Sequence, residues 1–380
     1  MKLDSLIGTA VAASVRARTR STPFRRLSDL PEVEISLGTL CQSIHVEGLQ
    51  GASRLLLGDE AEGYRMHSVQ SLRPYLDELR ASGIRRIYLG LSSDLPTREY
   101  RAKLDSFVEI VRQVRKSAGD EFQLIVDPAG LCMRKDLRWG VTRDDGGVDA
   151  EATLALLAHA AVEFAGAGMD ALMTIGRVNC EVEVARQALS RVARPVTLLS
   201  FSTNSETASA YFETTQHDVS RSRTGQKILV GNGQEMTVRA LADFGEGSDV
   251  VVQKPIEAFH NLATLRLLAS GQLPFRTYVE DTPGVAELLR TNDWIVPAVE
   301  RAASALETGE RGLRTGAYEV SGTYCVIRSL ARTYSEQLAW AMLDETFKNA
   351  ASAAGAGLDV IISRGAHWYA RMRHGLERAA

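Results

Sequence analysis

Lys254 closes the run Ser-Asp-Val-Val-Val-Gln-Lys-Pro at 248–255, an apolar stretch of strand-forming residues that carries one amine to its C-terminal end. An amine at the mouth of an apolar barrel is poorly solvated, which disfavours its charged form. The neutral amine attacks a ketone and forms a Schiff base, the electron sink of class I aldolases and related condensing enzymes. The plainer alternative is a lysine that snorkels from a strand edge and only solvates it. Strand position alone leaves these two readings level. Four further residues stand at or just past expected strand ends: Asp127, Asn204, Ser321 and Arg364. A carboxyl suits proton transfer, an amide or hydroxyl suits hydrogen bonding, and a guanidinium binds a carboxylate through two parallel bonds. Taken singly, each reads as a strand-end cap or a solvated rim residue; their convergence makes a candidate site.

The elements that would position them are short β-rich runs alternating with longer helical stretches. The expected strands are Leu40–Val46, Arg86–Leu91, Phe122–Asp127, Asp170–Ile175, Val196–Phe201, Asp249–Lys254, Thr315–Ser321 and Asp359–Arg364. Between them lie amphipathic segments such as Ser68–Ala81, Tyr100–Ser117 and Asp149–Ala167. In the last, Asp149 is placed to accept from first-turn amides, Glu151 complements the helix dipole, and Gly166 and Gly168 supply the exit. Eight strands with intervening helices favour an α/β fold of the (β/α)8 TIM-barrel type, with chemistry at the C-terminal strand ends. Residues 1–39 read as an N-terminal arm and 40–380 as the barrel. An insertion at about 271–314 precedes the seventh strand, with an extra strand expected at Phe275–Val279 and helices at Val285–Arg290 and Ile295–Leu306. It is expected to form a cap or an oligomer contact. The polar, Ser/Thr-rich stretch 203–226 follows a strand end and has the profile of an active-site lid.

Composition removes several classes of function. The 44 Lys+Arg against 47 Asp+Glu give a net charge of -3, so no basic surface argues for nucleic acid. Cys41, Cys132, Cys180 and Cys325 show no paired spacing and read as free thiols of a reducing compartment. No run of eighteen apolar residues argues for a membrane span. The arginines at 16, 18 and 20 lack the long apolar core of a secretory signal, and a cytoplasmic protein is expected.

Several motifs then resemble one family, porphobilinogen synthase, also called 5-aminolevulinate dehydratase. They are Gly147-Val-Asp-Ala-Glu-Ala-Thr-Leu, Ala165-Gly-Ala-Gly-Met-Asp, Leu199-Ser-Phe-Ser-Thr and Glu246-Gly-Ser-Asp-Val-Val-Val-Gln-Lys-Pro. Tyr318-Glu-Val-Ser-Gly-Thr-Tyr is similar to the family's Tyr-Gln-Val-Ser-Gly-Glu-Tyr, and Ala354-Gly-Ala-Gly-Leu-Asp-Val-Ile-Ile-Ser resembles its last strand. The likeness covers most of the chain, is best over about 122–260 and 315–380, and is weak before residue 60. It implies a homo-oligomeric barrel enzyme that joins two 5-aminolevulinates into a pyrrole with loss of two waters. Two lysines form imines in that family, and Lys254 matches one of them. Asp127, Ser321 and Tyr324 match its first subsite.

The departures are as informative. Asn204 stands where the second lysine is expected, and an amide forms no imine. The expected Gly-Pro-Phe-Arg reads Phe212-Glu-Thr-Thr, leaving Arg223 as the candidate for a second carboxylate-binding arginine. The family's metal-ligand positions after the third strand fall on Ala129, Leu131 and Trp139, none of which holds zinc. Cys132 beside them is a single thiol, and His260, lone and a helical turn past Lys254, reads as structural. Ile175 replaces an expected serine and Arg364 an expected tyrosine. The expectation is a divergent condensing enzyme with catalytic Lys254 and Asp127. Ser321, Arg364, Asn204, Arg223 and Tyr324 would bind a small keto or amino-keto acid. No metal and no cofactor are expected. A true porphobilinogen synthase and a non-catalytic binding relative are the alternatives.

Overall fold

The computed structural model describes residues 32–57, 64–93, 95, 98–134, 139–205, 228–355 and 357–379. The compact unit that carries the fold runs from Ile35 to Ala380, and most of the expected arm at 1–39 lies outside the described residues. Among the described residues, twelve strands occur in chain order: β1 (Leu40–Glu47), β2 (Arg54–Leu57), β3 (Tyr64–His67), β4 (Arg86–Ser92), β5 (Gln123–Asp127), β6 (Val141–Thr142), β7 (Val148–Asp149), β8 (Ala171–Met173), β9 (Thr197–Ser200), β10 (Val250–Gln253), β11 (Thr315–Tyr318) and β12 (Leu358–Ser363). Strands β1, β4, β5, β8, β9, β10, β11 and β12 pair in parallel, and β12 returns to β1 to close the barrel. The β2–β3 hairpin extends the sheet beside β1, while β6 and β7 form a small separate ribbon.

Alternation along each strand decides which side chains fill the barrel. Cys41, Tyr88, Ile125, Met173, Leu199, Val250, Val252, Tyr318, Val360 and Ile362 form the inner cluster. The same parity, carried forward, brings Asp127, Lys254 and Arg364 to the inner side at the C-terminal rim. At the opposite rim, acidic residues ahead of strands tie neighbours together. Asp170 Oδ2 accepts from the Leu124 amide (2.8 Å) and Asp249 Oδ2 from the Leu198 amide (2.7 Å). Arg115 and Arg186 pair with these two carboxylates. One rim is thus occupied by stabilising ion pairs, leaving the other for chemistry.

The helices begin where the sequence places their caps. Ser68 and Ser71 form a reciprocal capping box at the start of Val69–Ala81. Asp149 accepts from the Ala152 amide (2.9 Å) and opens Ala150–Gly166, after which Gly168 turns at φ 102°.

The insertion differs from expectation at one point. Phe275–Asp281 is a short helix where a strand was expected at Phe275–Val279. Aromatic and β-branched residues raise strand propensity, but 275, 278 and 279 also share one helical face. That face packs, through buried Tyr278, into a cluster with Val238, Leu241 and Phe244 of the helix Gly233–Glu246. A closed barrel also offers no free inner edge for another strand. The helices Val285–Thr291 and Val296–Thr308 complete this layer. Contact is close at Gly245, where a Cβ would stand 1.8 Å from the Ala298 carbonyl oxygen. A glycine is required there by backbone approach alone.

Candidate active site

Lys254 follows β10, and its backbone stays paired beyond the strand. Its amide donates to the Thr203 carbonyl (3.1 Å) and its carbonyl accepts from the Ser205 amide (3.1 Å), so Asn204 bridges it in parallel. The half-buried side chain rises over two rings, with Nζ 4.7 Å from the Tyr318 centroid and 5.2 Å from that of Phe201. Phe201 and Tyr318 meet edge to face at 5.2 Å, and Tyr88 completes the cage at 6.1 and 5.6 Å from them. Such rings hold a cation by their faces and exclude water on that side, which fixes the amine's position as well as its surroundings.

Asp127 ends β5 on the same inner side. The Tyr88 hydroxyl donates to Oδ2, and the Ala129 amide donates to Oδ1 at 2.7 Å. Burial pushes the Asp127 carboxyl above the usual carboxylate range, opposed by those two donors and by the charges of Lys254 and Arg177. A carboxyl that resists ionisation beside an amine is suited to passing a proton to and from a carbonyl or imine. His45, from β1, joins them. Its ring occupies space left by Gly90, where a Cβ would lie 2.5 Å from His45 Cδ2. Burial, with Arg364 and Lys254 adding repulsion, lowers His45 to about 3, so it is neutral at ordinary pH.

Arg364 lies beyond β12, buried, with its guanidinium carbon 3.9 Å from the Tyr64 ring centroid. Its carbonyl accepts from Gln42 Nε2 (2.9 Å), and Gln42 Oε1 accepts from the His367 amide (2.8 Å). One amide of β1 therefore fixes the turn that presents the arginine. A cavity of about 370 Å3 opens here, lined by Gln42, Ser43, Tyr64, Tyr75, Tyr324 and Arg364. Glu319 stands behind the wall, fully buried; the Ser363 hydroxyl donates to its Oε2, and the Gly365 amide donates to Ser363 Oγ (2.8 Å). Burial raises Glu319 to about 7, with Arg364 pulling weakly in the other direction.

The expected residues are therefore distributed unevenly. Lys254, Asp127 and Arg364 share the inner rim, with Asn204 paired directly to Lys254 and buried. Asn204 Oδ1 has no hydrogen-bond partner among the described residues. Tyr324 lies 6.3 Å from Tyr64, ring to ring, at the edge of the Arg364 cavity. Ser321 opens the helix Ser321–Thr333, not the end of a strand as expected, because β11 stops at Tyr318; its side chain is outside the described set. Arg223 and most of the 203–226 lid also lie outside the described residues. The residues that sequence reasoning missed are Tyr88, Phe201 and Tyr318 of the cage, together with His45, Gln42 and Glu319. Strand parity with Lys254 was the signal for Tyr318; His45 needed the β1–β4 register.

Comparison with known proteins fixes the lineage. The family model for delta-aminolevulinic acid dehydratase matches residues 15–278, more than half of the 380-residue chain. The chain belongs to this family. It is 26% identical over 219 residues to the delta-aminolevulinic acid dehydratase of Streptomyces coelicolor, a match that covers 55% of this chain and 63% of that protein. The solved delta-aminolevulinic acid dehydratase of Toxoplasma gondii, in complex with its product porphobilinogen, superposes with a TM-score of 0.66 and 17% identity. That superposition covers 95% of this chain and 88% of the other, and it supports the barrel fold.

Within the family's frame, the positions after the third barrel strand do not fit a divalent cation. Ala129 and Leu131 lie in the short helix Ala129–Cys132, and buried Trp139 donates from Nε1 to the Ala129 carbonyl (3.0 Å). No side chain at 129, 131 or 139 has a donor atom for a metal. Burial pushes the neighbouring Cys132 thiol up to about 12, with Lys103 pulling it down. Among the described residues, no helix is long and apolar enough to cross a membrane.

Proposed function

We propose that this member of the delta-aminolevulinic acid dehydratase family condenses or dehydrates a keto or amino-keto acid through an imine on Lys254, with no metal in that step. The observation that carries the reading is the Lys254 amine on the faces of Tyr318 and Phe201, beside a buried carboxyl at Asp127. In the first step the amine nitrogen attacks the ketone carbon. A proton delivered from Asp127 lets the hydroxyl leave as water, and the C=N bond forms. The imine then acidifies the neighbouring carbon, and Asp127, now ionised, takes that proton to give an enamine. The enamine attacks the second carbonyl, or a β-substituent leaves. Arg364 holds the substrate carboxylate, with Ser321 and Tyr324 as further binding residues. Asn204 lines the place of the second reactant without bonding to it covalently, and Arg223 is assigned to the same subsite. The same reading makes the protein a cytoplasmic homo-oligomer acting on a small molecule, in a specialised biosynthetic role.

Porphobilinogen formation from two 5-aminolevulinates is the second reading, favoured by the family and opposed by the amide at Asn204. One experiment separates them: borohydride reduction of the protein with 5-aminolevulinate, followed by peptide mapping, with porphobilinogen assayed in the same sample. An adduct on Lys254 without pyrrole supports the proposed reading. Pyrrole release establishes the second. Absence of an adduct with any of a panel of keto acids would leave a binding role.

A further inference from the structure

His45 takes no part in the proposed imine steps, yet it faces the same barrel mouth. It lies near the C-terminal end of β1, on the inner side that Cys41 occupies lower down. Strand pairing sets its neighbours. His45 is level with Gly90 of β4, and Gly90 is level with Asp127 of β5. These three residues form one row across the strands, directly above the row of Ser43, Tyr88 and Ile125. The middle member of the upper row has no side chain, and the imidazole fills the gap. A Cβ at Gly90 would lie 2.5 Å from His45 Cδ2 and 2.7 Å from Nε2. The Cδ2–Nε2 edge of the ring is therefore turned across Gly90, the residue that separates His45 from Asp127.

The ring is held by its faces and not by its nitrogens. Tyr64 meets it edge to face at 5.4 Å, and no hydrogen bond to the ring occurs among the described residues. The residue is half-buried, so it stays open to a molecule in the mouth. Burial lowers the imidazole pKa to about 3, and the charges of Arg364 and Lys254 lower it further. A substrate with its ketone at Lys254 and its carboxylate at Arg364 would span the same two cations whose charges reach His45. An uncharged imidazole donates from one nitrogen and polarises a carbonyl without adding a third positive charge.

We propose that His45 is a further catalytic residue, its Nε2–H donating a hydrogen bond to the substrate's ketone oxygen while the Lys254 amine adds. This rests on the imine reading of Lys254. As the nitrogen lone pair bonds to the ketone carbon, the C=O π pair moves onto the oxygen, and the imidazole N–H meets that developing charge. One proton of the amine then passes to the oxygen, giving the carbinolamine. Asp127 supplies the second proton, the C–O bond breaks, and water leaves as the nitrogen lone pair closes the C=N bond. His45 keeps its own proton throughout, so it speeds the step without appearing in its balance. Gly90 is part of the device, because a side chain there would push the ring out of the row.

The test follows imine formation in time on the full-length protein. Protein is mixed with 5-aminolevulinate or levulinate, aliquots are quenched with borohydride at successive times, and the adduct on Lys254 is measured by mass. His45→Phe keeps a ring over Gly90 and against Tyr64 but has no donor. It should slow labelling by about 10²–10³-fold, the usual loss for one such donor. The final labelled fraction and Tm should stay at the parent's values, since a catalyst moves the rate and not the equilibrium. His45→Gln, whose amide is again a donor, should recover to within about tenfold of the parent. If His45→Phe lowers Tm, His45→Ala is read in its place with the same expectations. A donorless variant labelled as fast as the parent would overturn the inference alone. So would a glutamine variant as slow as the donorless one, which would make the histidine a packing residue. A parent labelled on Lys254 by neither keto acid would overturn the imine reading, and this inference with it.

Discussion

The two halves of the barrel mouth are built by different means. Around Lys254 the side chains come from strands and obey strand parity: Tyr88, Asp127, Phe201 and Tyr318 all point inward from positions fixed by the sheet. Around Arg364 residues of β1 and β3 meet side chains from the helices Val69–Ala81 and Ser321–Thr333, and their placement rests on buried polar links such as Gln42 to Arg364 and Ser363 to Glu319. The first half surrounds one amine with rings and a single carboxyl. The second buries a guanidinium on a tyrosine face and a carboxyl with a pKa near 7. The family match, over 15–278, includes the first half through β10 and stops before β11 and β12. On the proposed reading, the difference assigns the bond-forming step and the substrate preference to separable parts of one rim.

That separation can be broken by experiment. Lys254→Ala should abolish borohydride trapping and turnover of the true substrate; retained turnover would remove the imine from the mechanism. Asp127→Asn should lower kcat by about 10²–10⁴-fold, as expected for loss of a positioned proton carrier. Its binding of substrate, measured by calorimetry, should change little. Arg364→Leu should act in the opposite way, raising KM about 10–100-fold, or ~1.5–3 kcal/mol for a lost charge-assisted bond, while trapping on Lys254 persists. An unchanged KM would take Arg364 out of the site and dissolve the contrast.

Glu319→Gln should have the smallest effect and the most diagnostic pH dependence. Folding raises this acid from an ordinary 4.5 to about 7, so the native state holds the proton more tightly than the unfolded chain. Stability therefore falls as pH rises from the unfolded pKa to the folded one, and the penalty is complete above it. The glutamine variant should melt at a higher temperature than the parent at pH 8, by about 2–4 °C for each kcal/mol relieved, and close to it at pH 4.5. Ionised Glu319 also draws on the charge of Arg364. The parent's KM should consequently rise about two- to fivefold above neutrality, an interaction of order 0.5–1 kcal/mol, and the variant's should not. Equal pH profiles would show that Glu319 does not reach Arg364.

Lys254 and Asp127 of the first half and Arg364 of the second were legible in the sequence, because a period of two and a strand end place them without knowledge of partners. The barrel itself followed from the alternation of short apolar runs with capped helices, and strand ends were displaced by only a few residues. Phe201 and Tyr318 were visible as apolar strand residues, but their service as a platform for the amine depends on β9, β10 and β11 being neighbours. His45 fits only because Gly90 on β4 lies opposite it, a relation set by register and not by spacing along the chain. Glu319 was visible as an acid in place of the family's glutamine; its burial could not be read from local composition. The strand expected at Phe275–Val279 fell to tertiary packing against Phe244 and its neighbours.

Gln42 carries one more consequence, in the order of synthesis. It waits 322 residues for the carbonyl of Arg364 and 325 for the amide of His367. A growing chain has already made Lys254 and Asp127 by the time β10 emerges, yet β1 lacks its closing neighbour until β12 arrives. The surroundings of Arg364, begun with Gln42 on β1, are therefore completed only at the end of synthesis. A nascent chain arrested before that point would carry Lys254 without Arg364, and on the proposed reading an amine without the arginine that selects its substrate.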